Sequence, residues 1–269
     1  MILEKRMGRF GRMRRLGRLF IFLMVLGGLL GLDLMVFPFP VKAQCPSSEK
    51  LLPAIRKTFP KLQFEIGKIG PAEGGLCQIP LKIGGQIHLL YSDSRGDFLL
   101  AGSLFEAKSG KNLTQETLQL LNRLTPEEMR QVESLTAFTM GQGKKVVYLA
   151  TDPQCSFCKQ AEALLKKVMG KEEFQVHFLL FPLDIHKGAR EQSIAILCDH
   201  KGVEGLEGNY QSDHQCAEGI KKVDGTIAFM KKKGISSTPT FIFSDGIYMS
   251  GVIPEEELRR RLGLTKPLK

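Results

Sequence analysis

Apolar positions recur along this chain with two different periods. One set forms short runs rich in β-branched and aromatic residues, Lys145-Val-Val-Tyr-Leu-Ala-Thr151, Phe174-Gln-Val-His-Phe-Leu-Leu-Phe181, Phe241-Ile-Phe243 and Ile247-Tyr-Met249, and reads as strands. The other repeats every three to four residues, as in Lys159-Gln-Ala-Glu-Ala-Leu-Leu-Lys-Lys-Val-Met169 before Gly170, and reads as an amphipathic helix with a glycine stop. The second half of the chain therefore predicts strand 145–151, helix 156–169, strand 174–181, a helical insertion over 188–230, strands 240–244 and 247–251 joined by an Asp245-Gly246 turn, and a final helix from Pro254.

Upstream, the pattern predicts a helix over 47–59 and strands at 62–69, 77–83, 86–92 and 98–105, a small α+β unit. A unit of about 65 residues buries little core and is marginal alone, so it is completed by dimerisation or by packing on the domain that follows. Residues 114–140 read as mostly helical, with Thr125-Pro-Glu-Glu128 restarting a helix through a Thr cap, Pro at the first position and Glu at the third. The expected organisation is a leader at 1–43, an amino-terminal domain at 44–113, a linker helix at 114–142 and a second domain at 143–269.

Lys5, Arg6, Arg9, Arg12, Arg14, Arg15 and Arg18 precede the apolar run Leu19–Leu32, and Val41-Lys-Ala43 ends the leader, which reads as a signal peptide cut after Ala43. Counted on through Val41, the apolar stretch approaches the ~20 residues of a bilayer crossing, so an uncleaved anchor is the alternative. Gln44 before Cys45 argues against a lipid-modified cysteine. The chain carries a net charge of +10, but six of those charges lie in the leader, where eight Lys or Arg face Glu4 and Asp33. The remainder makes no case for nucleic-acid binding, and with no Trp and four Tyr the chain lacks base-stacking platforms. Runs such as Lys231-Lys-Lys233 and Arg259-Arg-Arg261 are most simply solvated helix faces, with acidic substrates or a membrane surface as the alternative.

Chemistry concentrates in Asp152-Pro-Gln-Cys-Ser-Phe-Cys-Lys159, a Cys-x-x-Cys between strand and helix, the context of a thioredoxin-like redox motif. Unpaired N–H groups and the positive end of the helix dipole favour a thiolate at the first cysteine. Cys155 is thus the expected nucleophile and Cys158, one turn on, the resolving thiol that releases a mixed disulfide. A zinc knuckle is the competing reading, but it wants a second close Cys or His pair and the other cysteines are widely spread. Dithiol chemistry calls for no cofactor and no metal. Taken alone, Pro239 in Gly234-Ile-Ser-Ser-Thr-Pro-Thr240 is an ordinary strand-entry proline. His177 reads as a core or edge histidine, and His186, His200 and His214 show no catalytic pattern.

Together with Thr238-Pro239 and the stretch from Ile87-His-Leu-Leu-Tyr to Gly110-Lys-Asn-Leu-Thr114, the Cys-x-x-Cys segment resembles the periplasmic DsbC/DsbG family of thiol:disulfide interchange proteins. The resemblance spans nearly the whole chain after the leader. It implies an α+β fold with a cystatin-like dimerisation domain, a linker helix and a thioredoxin-like catalytic domain with a helical insertion. A periplasmic homodimer is implied, with misfolded or oxidised exported proteins as substrates and a membrane thiol reductase of the DsbD kind as partner. A cis Thr238-Pro239 bond is implied beside the cysteines, so that Ser156, Phe157, Thr238 and Pro239 contact substrate. The resemblance also supports a Cys198–Cys216 disulfide in the insertion, which leaves Cys45 and Cys77 as a pair, as two free thiols or in an intermolecular bridge. Ser156-Phe157 differs from the Gly-Tyr and Pro-Tyr of the two branches, and Asp152-Pro153 with Lys159-Gln160 leans toward the DsbG side. Three roles follow: an isomerase or reductase of wrong disulfides, a reductase of oxidised single cysteines, and a chaperone-like binder of unfolded chains.

Overall fold

The structure, a computed structural model, describes residues 44–264; the expected leader at 1–43 lies outside the described residues. Helix α1 (Ser48–Thr58) begins where the Ser47 hydroxyl accepts the Lys50 N–H, as an N-cap should. Its buried face sets Leu51 and Ile55 against Ile79, Leu81 and Leu90. Those residues belong to β3 (Cys77–Ile83) and β4 (Gln86–Ser92), an antiparallel hairpin in register from Cys77↔Ser92 to Ile83↔Gln86. Gly84 and Gly85, both at positive φ, make its turn. Strands β1 (Glu65–Ile66) and β2 (Gly70–Pro71) pair with β3, and β5 (Leu99–Leu100) pairs with β4. The strands expected over 62–69 and 98–105 are thus much shorter. Gly67 breaks off to donate to Pro80 O, and beyond Gly102 the chain turns into the separate β6 (Phe105–Glu106) and β7 (Lys111–Asn112) hairpin.

The linker helix expected over 114–142 is instead two helices and a strand. Helix α2 (Leu113–Leu121) is capped by Asn112. Helix α3 (Pro126–Ser134) opens with the Thr125–Glu128 capping box and Pro126 in its first turn. Strand β8 (Phe138–Gly141) then joins the second sheet. Its alternation turns Phe138 and Met140 toward the core, but four residues are too few to register beside two strong helix signals.

The second sheet runs β12-β11-β9-β10-β8. At its centre β9 (Val146–Thr151) lies parallel to β10 (Gln175–Leu180) and antiparallel to β11 (Thr240–Phe243), which pairs in turn with β12 (Tyr248–Ser250). Five of the six β9 residues are buried, because helices cover both faces, and this accounts for its unbroken apolar run. On one face α4 (Ser156–Met169) and α8 (Glu255–Arg261) bring Ala161, Leu165, Val168 and Leu258 onto Val147, Leu149 and Phe241. On the other, Val132 of α3 and Phe229 and Met230 of α7 (Ala217–Lys232) cover Tyr148, Ala150 and Ile242. The insertion between β10 and β11 holds α5 (Ala189–Cys198), α6 (Gly202–Glu207) and α7. This is a thioredoxin-like sheet with a helical insertion, preceded by a small α+β unit.

The two units touch. Asn122 pairs with both backbone groups of Ile87, accepting its N–H at 2.7 Å and donating to its carbonyl at 2.9 Å. Leu124 N–H donates to Gly246 O, and Gln86 to the Tyr248 hydroxyl. At the hairpin tip a Cβ on Gly85 would stand 2.4 Å from Lys232 O, so only glycine permits this approach.

Candidate functional site

Strand β9 delivers the site and α4 holds it. After Thr151 the chain leaves the sheet, and the Asp152 carboxylate organises the turn. Its Oδ1 accepts the Gln154 N–H at 2.8 Å, and its Oδ2 accepts the Leu183 N–H and bonds to His186 Nδ1, both at 2.7 Å. Asp152 is fully enclosed, and a buried carboxylate needs partners of this kind. Cys155 then occupies the N-cap of α4 and its sulfur accepts the Cys158 N–H at 3.4 Å. That is the place where helix N–H groups and dipole act on a sulfur.

From the opposite side comes the loop before β11. The Thr238-Pro239 bond is cis, and Thr238 O lies 3.5 Å from the Cys155 sulfur, which donates to it. Thr238 and Pro239 are buried while Ser156 and Phe157 are exposed, Phe157 by 58%. The structure thus brings Cys155, Cys158, Thr238 and Pro239 together, with Ser156 and Phe157 on the rim. Cys155 is 6% exposed and Cys158 fully buried. Burial, followed by the hydrogen bond with Cys155, pushes the Cys158 thiol up to about 12. The Thr238 and Thr151 hydroxyls act the other way, holding the value down, and Thr238 Oγ1 has no hydrogen-bond partner among the described residues.

The remaining cysteines are bonded. Cys45 joins Cys77 at the start of β3, and Cys198 at the end of α5 joins Cys216 at the N-cap of α7. Among the described residues Cys155 and Cys158 are the free thiols. One exposed-side thiol beside one dry thiol can perform stepwise exchange: the outer sulfur meets a substrate disulfide and the inner one displaces it.

Several polar residues around the thiols escape a motif reading. His186, without a pattern in sequence, is the partner of Asp152. Glu162 is 3% exposed and accepts from the Thr151 hydroxyl at 2.8 Å. Burial raises its carboxyl above the usual range. A signal for it was present: at four residues past Cys158 it shares the buried stripe of α4 with Cys158, Ala161, Leu165 and Val168. The raised carboxyl has a consequence for stability. Between its unfolded and folded values the native state binds the extra proton, so stability is full below the unfolded value and falls as pH rises through the folded one. Glu162→Gln is therefore expected to raise the melting temperature at neutral pH and not at acid pH, as read by thermal scans at both; a lower melting temperature at neutral pH would contradict this.

Comparison with known proteins follows the same division. Residues 42–115 match the disulfide bond isomerase protein N-terminal domain and residues 135–266 a thioredoxin-like domain. The "Probable thiol:disulfide interchange protein DsbC" of Bordetella avium is 28% identical over 217 residues, covering 78% of this chain and 74% of that protein. The protein of the same name from Bordetella pertussis is 25% identical over 178 residues, 65% of this chain and 61% of its own length. Among solved structures, the catalytic domain of Proteus mirabilis ScsC superposes with a TM-score of 0.43 at 18% identity, over 51% of this chain and 93% of that one. Both halves of the chain and its curated relatives agree on one assignment: it is a thiol-disulfide oxidoreductase that belongs to the DsbC family of thiol:disulfide interchange proteins.

Proposed function

We propose that the protein isomerises or reduces non-native disulfides of exported proteins, with Cys155 as nucleophile and Cys158 as resolving thiol. The observation that carries this reading is the pairing of a dithiol site with a separate amino-terminal unit of the disulfide isomerase type. An oxidant needs a redox domain alone; an isomerase must hold a misfolded chain through repeated exchange. Ser156, Phe157 and the Thr238-Pro239 loop form the substrate contact, the loop backbone pairing with an extended segment. The relatives' DsbC names support a periplasmic setting after cleavage at Ala43, and a membrane thiol reductase of the DsbD kind would return the site to the dithiol. No helix among the described residues is long and apolar enough to cross a membrane.

We also propose that the protein is a homodimer through its amino-terminal unit. Strand β5 is a sheet edge, and Leu100 on it and Phe98 just before it are 50% and 71% exposed, an edge that natural proteins seldom leave open. Light scattering should give twice the chain mass; a monomer at micromolar concentration would count against the dimer.

Activity is tested by reactivation of a scrambled multi-disulfide protein in a glutathione buffer, with Cys155→Ser as blank. Recovery above that blank is the expected result. No recovery from folded protein with a reducible Cys155–Cys158 pair would transfer the assignment to reduction of sulfenic acids on single cysteines, the reading favoured by the Asp152-Pro153 and Lys159-Gln160 flanks.

A further inference from the structure

The loop that carries Thr238 is held at both ends, by contacts of different origin. Downstream it is tied to its own sheet: the Thr240 hydroxyl donates to Ser237 O at 2.8 Å, and Gly251 N–H donates to Pro239 O at 2.8 Å. Upstream it leaves the end of α7, where Gly234 N–H donates to Lys231 O and Ile235 N–H to Met230 O, a Schellman turn with glycine just past the helix. Between these ends Ser236 and Ser237 are exposed, so the backbone there is fixed by its two anchors rather than by packing.

The upstream turn is covered by the amino-terminal half of the chain. The tip of the β3–β4 hairpin, Gly84-Gly85, lies on Lys232 and Gly234. A Cβ on Gly85 would stand 3.1 Å from Gly234 N as well as against Lys232 O, and a Cβ on Gly234 would stand 2.7 Å from Gly84 O. Backbone thus meets backbone with no side chain between, a contact that tolerates little displacement. Beside it Lys233 pairs with Glu128 of α3 at 3.1 Å, with only 19% and 21% of the two side chains exposed. Hairpin tip and helix α3 converge on residues 232–234, and Thr238 follows four residues after Gly234.

We propose that the hairpin tip is a positioning element for attack on substrate, with Gly85 as the positioning residue. It holds the start of the loop so that Thr238 O stands 3.5 Å from the Cys155 sulfur and the loop backbone is placed to pair with an extended substrate. The inference rests on the assignment of Cys155 as nucleophile and of the Thr238-Pro239 loop as substrate contact. In the step it serves, the Cys155 thiolate bonds to one substrate sulfur, the substrate S–S bond breaks, and the electron pair leaves on the other sulfur as a thiolate. The tip touches none of these atoms. It acts through the backbone of 234–238, so its loss should spare the reactivity of the thiol and impair the alignment of the substrate. The amino-terminal unit then has two roles: it grips a misfolded chain, and it sets the loop of its own chain against which that substrate is aligned.

Gly84 and Gly85 allow the test to be made within one turn. Both take positive φ, 56° and 91°, so alanine strains the backbone at either. A Cβ on Gly84 meets nothing within 4 Å, whereas one on Gly85 must push the tip away from Lys232. Each substitution is made in the reduced full chain carrying Cys158→Ser, so that the adduct persists. A labelled short peptide disulfide is added over a range of concentrations, and adduct is counted by acid quenching and mass spectrometry. Alkylation of Cys155 by iodoacetamide, which needs no backbone pairing, is followed in parallel.

Gly85→Ala should form the adduct on the order of 10-fold more slowly at low peptide concentration, with the loss in the half-saturating concentration. Its alkylation should keep the parent rate, and Gly84→Ala should match the parent in both reactions. Lys233→Met, which removes the pair with Glu128, should slow adduct formation by about 3-fold and carries the test should Gly85→Ala fold poorly. An unchanged adduct rate, an equal slowing in Gly84→Ala, a loss confined to the limiting rate or an equal fall in alkylation overturns the positioning role and leaves the site assignment intact. Adduct formation by Cys155→Ser at the rate of Cys158→Ser would sink the site assignment, and the positioning role with it.

Discussion

Cys158→Ser should turn the protein from an exchange catalyst into a trap. Cys155, at the N-cap of α4 with its sulfur toward the Thr238 carbonyl, keeps its helix N–H groups in this variant and attacks a substrate disulfide as before. The displacing thiol is gone, so the adduct persists until an external thiol resolves it. Incubation with a disulfide-linked substrate should yield a covalent complex on non-reducing gels that dithiothreitol dissolves. Cys155→Ser should give no such complex, and its turnover should fall by on the order of 10²-fold or more, to the uncatalysed exchange rate. The reverse pattern, a trap from Cys155→Ser and none from Cys158→Ser, would exchange the two roles. That outcome is hard to reconcile with burial, since Cys158 is closed to solvent and Phe157 beside Cys155 is 58% exposed.

The difference between the two thiols explains which features can be read from a linear sequence. Strand β9 and helix α4 coincide with the segments expected from hydrophobic period, because a doubly covered strand and a long amphipathic helix impose strong local patterns. The Asp245-Gly246 hairpin and the Thr125–Glu128 capping box were legible for the same reason: each is specified by contacts within a few residues. Strand β8 and the shortened β1 and β5 were not, since strands of two to four residues owe their existence to distant partners, β8 to β10 and β1 to β3. The polar surroundings of the site belong to this second kind. His186 meets Asp152 across 34 positions, a distance over which no periodicity carries information, whereas Thr238 meets Cys155 across 83 and was expected there only because the family resemblance implied it. Glu162 stands between the cases, at a helical spacing that was readable but with a meaning supplied only by the Thr151 hydroxyl.

Removing the two closed disulfides should separate the units of this fold. In the chain-entropy account a crosslink acts mainly by limiting the unfolded chain, and a longer loop gains more. Cys45–Cys77 spans 32 residues and Cys198–Cys216 spans 18, so the double Ala variants should lose about 4 and about 3 kcal/mol respectively. The consequences should differ more than the numbers. Cys77 is fully buried at the start of β3 and anchors the chain leading into α1, whose contact with Ile79, Leu81 and Leu90 makes up a small core. A core of that size leaves little reserve, so Cys45→Ala/Cys77→Ala should unfold its amino-terminal unit in urea before the second sheet does, giving two transitions. Cys198→Ala/Cys216→Ala should lower the midpoint of the larger unit without dividing the curve, because α5 and α7 pack together and onto the extensive core around β9 and β10. Dithiol activity at Cys155 should survive in both variants, whereas isomerisation should fail with the first, if the amino-terminal unit is what holds the substrate. Urea curves followed by tyrosine fluorescence and by far-ultraviolet circular dichroism, read alongside the scrambled-protein assay, check both points. A single unshifted transition in Cys45→Ala/Cys77→Ala would mean that contacts such as Asn122 with Ile87 and Gln86 with Tyr248 bind the two units into one cooperative fold.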